Sequence, residues 1–165
     1  TVFLTSAYVF AAIVIVSIFV LIWKRNHMQA GVFTASIGFT ALGVYVIKEL
    51  IERPRPAEAL IQISGFSFPS SHAALSAAFF LLIIYAFRRR FKNWAFRTLF
   101  VLVNLFLIAT VGFSRLYFNV HYFTDVLAGF AFGISSVTFF LLAFKFALSQ
   151  IDSWKKYRKN ADITG

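Results

Sequence analysis

No cysteine occurs in the 165 residues. Disulfide frameworks, zinc–thiolate centres and thiol nucleophiles are therefore excluded, and the redox compartment stays unread. Acidic residues are nearly as scarce: six, against sixteen lysines and arginines, for a net charge of +10. A surplus of that size can signal nucleic acid. Here only 13% of the chain is charged, 60% is hydrophobic and the mean hydropathy is +0.80. Bases on so apolar a chain read as membrane flanks, so nucleic acid is not the expected partner. Internal repeats, low-complexity tracts and strand-like alternation are also missing. What remains is one all-α domain embedded in a bilayer.

Five apolar runs carry that reading: 2–23, 31–47, 69–87, 98–113 and 126–144. Crossing the hydrocarbon takes about 20 residues. The first run meets that length outright, and flanking residues extend the shorter ones. Pro69 opens the third run, where a first helical turn tolerates its missing N–H. The expected architecture is a polytopic transmembrane bundle with five helices visible. A transmembrane domain over 1–148 is followed by a polar tail, 149–165, expected to fray on the cytoplasmic side. Neither an initiator methionine nor a leader precedes the first run, so a sixth, upstream helix is expected in the full-length protein.

The bases set the orientation. "KRNH" follows the first run, "RRRFKNWAFR" the third and "KKYRK" the fifth. Successive helices reverse direction, so these stretches share one side, and the positive bias makes it cytoplasmic. The opposite, extracytoplasmic side receives the loop 51–68 and the turn around 114–121. Their bases, Lys48, Arg53, Arg55 and Arg115, sit among Glu49, Glu52, Glu58 and Asp125. Such balance suits a built site.

The outward segments hold three short motifs. "KELIERPRP" places Lys48 seven positions before Arg55 and Pro56. "FPSSHA" places Ser70, Ser71 and His72 at the mouth of the third helix. "SRLYFNVHYFTD" places Arg115, His121 and Asp125 in one stretch. Each is weak alone; together, in order and on one face, they are specific.

This combination resembles the type 2 phosphatidic acid phosphatase superfamily, whose pattern is K-x6-RP, then PSGH, then SR-x5-H-x3-D. The match departs at one position, Ser71, where the family most often has glycine. A serine there is harmless if the backbone is helical with negative φ. The resemblance covers Lys48 to Asp125 and implies a lipid phosphatase with His121 as nucleophile, Asp125 as its partner and His72 as acid and base. Lys48, Arg55, Ser70, Ser71 and Arg115 are the implied phosphate ligands.

The residue types support these roles. A phosphate monoester carries about two negative charges, and its transition state spreads charge over equatorial oxygens. Three cations and the N–H groups of a helix start answer that need. A neutral imidazole can attack phosphorus, provided a carboxylate holds its other ring nitrogen; a second imidazole can protonate the leaving oxygen. A spacing of four puts His121 and Asp125 on one face if the helix has already begun. So cationic a site repels divalent metals; no cofactor is expected, and no obligate protein partner is inferred.

A head group bound at the bilayer surface leaves acyl or prenyl chains in lipid. The expected substrates are phosphatidic acid, phosphatidylglycerophosphate, a polyprenyl diphosphate or a lipid A phosphate, in a bacterial cytoplasmic membrane. A lipid phosphotransferase using the same pocket is the alternative. A membrane anion carrier is a weaker one, because no run carries charges through its centre. Some residues get simpler readings. Arg53, outside the pattern, is expected to pair with Glu49 or Glu52, and Asn104 to bond between helices. Tyr117, Tyr122, Trp94 and Trp154 are expected as interfacial aromatics.

Overall fold

The computed structural model describes residues 2–23, 27–61 and 63–164; side chains are described between residues 11 and 154, apart from 24–26, 62 and 152. It is an all-helical bundle: α1 (Val2–Trp23), α2 (His27–Ile51), α3 (Ser71–Phe87), α4 (Trp94–Tyr117) and α5 (Phe123–Thr164), with no strand among the described residues. A 3-10 turn, Arg88–Arg90, links α3 to α4. Segments 27–51, 71–90, 94–117 and 123–151 are each long and apolar enough to cross a membrane. The protein is an integral-membrane protein. Its helices run unbroken because all three prolines, Pro54, Pro56 and Pro69, lie in the α2–α3 connection.

α3 is the central helix and packs on α2, α4 and α5. Its contact with α5 is the most intimate. Ala73, Ala74, Ala77 and Ala78 are buried along α3, and Gly129 and Gly133 face them from α5. A Cβ on Gly129 would come within 2.6 Å of the Ser70 carbonyl oxygen, and one on Gly133 would overlap that of Ala74. Small residues let two backbones meet without an intervening side chain. α2 and α5 are joined by a polar seam instead. Ser136 Oγ lies 2.9 Å from Thr40 Oγ1 and donates to the Ser36 carbonyl at 3.2 Å, all three residues being buried. α4 touches mainly α3 and turns most of its apolar surface outward.

Three local expectations are corrected. Pro69 stands before α3 instead of in its first turn; Ser70 is the N-cap, its hydroxyl accepting from the Ala73 N–H. Serine offers a side-chain oxygen to an otherwise unpaired first-turn N–H, which proline cannot do. Asn104 bonds within α4, donating to the Phe100 carbonyl at 2.7 Å, because that acceptor one turn back is always in reach. The stretch from Ser149 continues α5 as helix to Thr164. It contains no glycine or proline before Gly165, and Ser153 Oγ donates back to the Ser149 carbonyl at 2.8 Å.

Candidate active site

The end of α2, the α2–α3 loop, the start of α3, the end of α4 and the start of α5 meet at one end of the bundle. The loop is tied down first. Ser67, fully buried, donates from its N–H to the Arg53 carbonyl at 2.8 Å and from Oγ to the Pro54 carbonyl at 2.9 Å. Farther out, Leu60 N–H donates to the Phe118 carbonyl at 3.0 Å, and Asn119 Nδ2 to the Glu58 carbonyl at 3.0 Å.

The folded loop presents a row of carbonyls that hold the cations. Lys48 Nζ donates to the Phe66 carbonyl at 2.7 Å. Arg55 donates from Nε to Gly65 at 2.9 Å, from Nη2 to Ser64 at 3.4 Å and from Nη1 to Val120 at 3.0 Å. Gly65 has φ +81°, a left-handed conformation that disfavours side chains, so glycine lets its carbonyl turn to Arg55. Arg115, in the last turn of α4, donates from Nε to Ser114 Oγ at 3.1 Å.

His121 is buried, with only 5% of its surface exposed. It lies in the turn before α5, not on the helix. Its Nε2 is 3.4 Å from Arg55 Nη1, and its Nδ1 is 3.5 Å from Asp125 Oδ2. A guanidinium can only donate, so the Nε2 facing it carries the lone pair and Nδ1 the proton. Burial, with the charges of Arg55 and Lys48, depresses the His121 pKa well below its ordinary value; Asp125 opposes this without overcoming it. The ring is neutral at physiological pH. Arg55 is also shifted down by burial.

Asp125 is fully buried at the third position of α5. Its Oδ2 accepts from the Tyr122 N–H at 2.9 Å, the half of a capping box in which a helix's third residue reaches back to its cap. Its main-chain carbonyl accepts from the Ser70 N–H at 2.9 Å, joining the second motif to the third. Ser70 is fully buried; its Oγ accepts from the Ala73 N–H, which leaves the O–H to donate. Ser71 opens α3 with helical backbone; among the described non-glycine residues positive φ is confined to Glu52 and Asn119. Its departure from glycine carries no backbone strain. His72 follows within electrostatic reach of Arg115, Arg55 and Lys48.

All eight residues singled out in the sequence thus belong to one neighbourhood. Arg53 was misread. It pairs with neither Glu49 nor Glu52. Its Nη1 lies 2.8 Å from Asp125 Oδ1 and 2.7 Å from Thr124 Oγ1, with the guanidinium 4.1 Å from the centre of the Tyr122 ring. The helix ends at Ile51 and Glu52 takes a left-handed φ of 49°, so Arg53 leaves the α2 surface that bears Glu49. The signal was present as the doubled Arg-Pro of "RPRP", in which one pattern absorbs only the second arginine.

The sequence profile of the PAP2 superfamily matches residues 26–148. The chain is 40% identical over 99 residues to phosphatidylglycerophosphatase B of Bacillus subtilis, an alignment covering 59% of this chain and 48% of that protein. It is 35% identical over 82 residues to an uncharacterised 22.5 kDa protein in the cps region of Klebsiella pneumoniae, covering 50% and 37% respectively. The chain spans about half or less of the length of these curated relatives. Its fold is similar to the crystal structure of a transmembrane PAP2-type phosphatidylglycerolphosphate phosphatase from Bacillus subtilis, with TM-score 0.61 and 30% identity over 85% of this chain and 76% of that one.

Proposed function

We propose that this chain, which belongs to the PAP2 superfamily, is a membrane lipid phosphatase acting on phosphatidylglycerophosphate or a closely related lipid phosphate. The observation that carries the reading is the aim of one atom: the lone pair of His121 Nε2 points at Arg55, where a phosphate would be gripped. Lys48, His72 and Arg115 surround that point, and Asp125 backs the ring. The names of the relatives supply the lipid class.

In the proposed reaction Lys48, Arg55 and Arg115 bind the phosphoryl oxygens, helped by Ser70, Ser71 and the N–H groups opening α3. Nε2 of His121 attacks phosphorus and the ester P–O bond breaks. The departing oxygen takes its proton from His72, and the lipid alcohol leaves. The Nδ1 proton stays directed at Asp125. A water then attacks the phosphohistidine, giving its proton to His72 and releasing inorganic phosphate. The cations meet the charge that a metal would otherwise meet, so no metal is required. The site faces the extracytoplasmic side of a bacterial cytoplasmic membrane, with the segment from Ser149 on the cytoplasmic side.

The test is phosphate release by detergent-purified protein from a panel of lipid phosphates, with and without chelator. Release should be fastest from phosphatidylglycerophosphate and indifferent to chelator. Rapid quenching with 32P-labelled substrate should trap an acid-labile, base-stable phosphoprotein that His121→Gln lacks. Failure to release phosphate from any member, or loss of activity in chelator, would overturn the proposal.

A further inference from the structure

Beyond these ligands and general catalysts, the site contains a cation with a different set of partners. Lys48 and Arg55 are held by main-chain carbonyls, and Arg115 by a hydroxyl. Arg53 instead grips the start of α5 at three points: Asp125 Oδ1, Thr124 Oγ1 and the face of Tyr122, the residue just before the helix. Its backbone is anchored as well, its carbonyl accepting from the Ser67 N–H. The two oxygens of Asp125 are thereby divided. Oδ1 belongs to Arg53, and Oδ2 faces the Tyr122 N–H and His121 Nδ1.

We propose that Arg53 is a positioning residue for the Asp125–His121 pair, fixing the carboxylate so that Oδ2 stays turned toward the ring and the attacking nitrogen keeps its lone pair. The inference rests on the reading of His121 as nucleophile. A fully buried carboxylate needs a compensating cation, and the ion pair with Arg53 supplies one at 2.8 Å. Without it, the carboxylate is free to rotate, and Oδ2 no longer faces Nδ1 at 3.5 Å.

The charge balance gives this a signature that a purely structural role lacks. Charged groups reach the pair from α2 (Lys48) and from the loop (Arg53 and Arg55), while His72 on α3 feels Arg55 and Lys48 as well as Arg115 of α4. Asp125 is the charge that raises the proton affinity of His121, so a carboxylate that turns away when Arg53 is removed withdraws that support and lowers it.

The experiment compares wild type, Arg53→Ala and Arg53→Lys, each full chain in detergent, by two readouts. Steady-state kinetics with phosphatidylglycerophosphate should show kcat lowered about 10- to 100-fold in Arg53→Ala with KM nearly unchanged, the scale on which partners that orient a functional imidazole act. Titration of 15N-labelled imidazoles is tractable with three histidines in the chain, and assignment uses His27→Gln and His72→Gln. In Arg53→Ala the His121 transition should move to lower pH, and Arg53→Lys should restore its position and most of kcat. An unmoved transition would sink the proposal, even if the variant were less stable. So would a raised KM at normal kcat, which would make Arg53 a phosphate ligand. Were wild type to release no phosphate, the phosphatase reading would fall, while the imidazole titration would still decide the role of Arg53.

Discussion

The proposed attack on phosphorus needs a neutral ring, and burial first, with Arg55 and Lys48 second, favours that form of His121. The linkage to stability has a definite sign. Its folded pKa lies below the unfolded value of about 6.5, so the unfolded chain takes up the proton more readily. The contribution is therefore complete above that value and is lost as pH falls through the interval down to the folded pKa. The thermal midpoint in detergent should decline from pH 7 toward pH 5, and less steeply in His121→Gln; equal slopes would contradict a depressed pKa. Glutamine, unlike alanine, leaves no large hole at a position that the structure shows to be buried and not rim-exposed. Arg53 shows where reading by residue type stops. Glutamates one and four positions back are obvious partners only while the chain stays helical, and the helix has already ended.

The helix pair α3–α5 sets the distance between motifs far apart in sequence. Ser70 N–H reaches the Asp125 carbonyl because Gly129 and Gly133 bring the two backbones together over the next two turns of α5. Gly133→Val would drive its side chain into the Ala74 carbonyl, which is main chain and cannot swing aside. We expect at least a ten-fold loss of kcat/KM together with a lower thermal midpoint, since about 1.4 kcal/mol of misplacement already costs that much in rate. Gly31, whose added Cβ meets nothing within 4 Å, is the control, and Gly31→Ala should match wild type in both measurements. Comparable damage from both substitutions would argue against close α3–α5 packing as the cause.

At the scale of the whole molecule, the site occupies one end of the bundle, and Arg88–Arg90 lie at the other end of α3. The charge rule predicts a cytoplasmic location for that base-rich end and an outward-facing site. A chain without cysteine gives a clean background for the check. Single substitutions Glu58→Cys and Lys92→Cys, both at exposed positions, should react oppositely with a membrane-impermeant maleimide applied to intact cells: the first labelled, the second only after lysis. The reverse pattern would place the site in the cytoplasm.

Composition alone determined that this chain spans a membrane as helices. Lipid offers backbone groups no partner, so long apolar runs have one outcome. The resemblance of three short motifs to a known family pattern picked out eight polar residues as the candidate site, and their types suit phosphate. Tertiary structure alone decided how they are held: which loop carbonyls orient Lys48 and Arg55, that Asp125 caps α5 from a turn His121 precedes, and that Arg53 crosses to Asp125. Those outcomes depend on where helices stop and how closely two of them approach, which is a balance of packing across distant segments and leaves no local mark in the sequence.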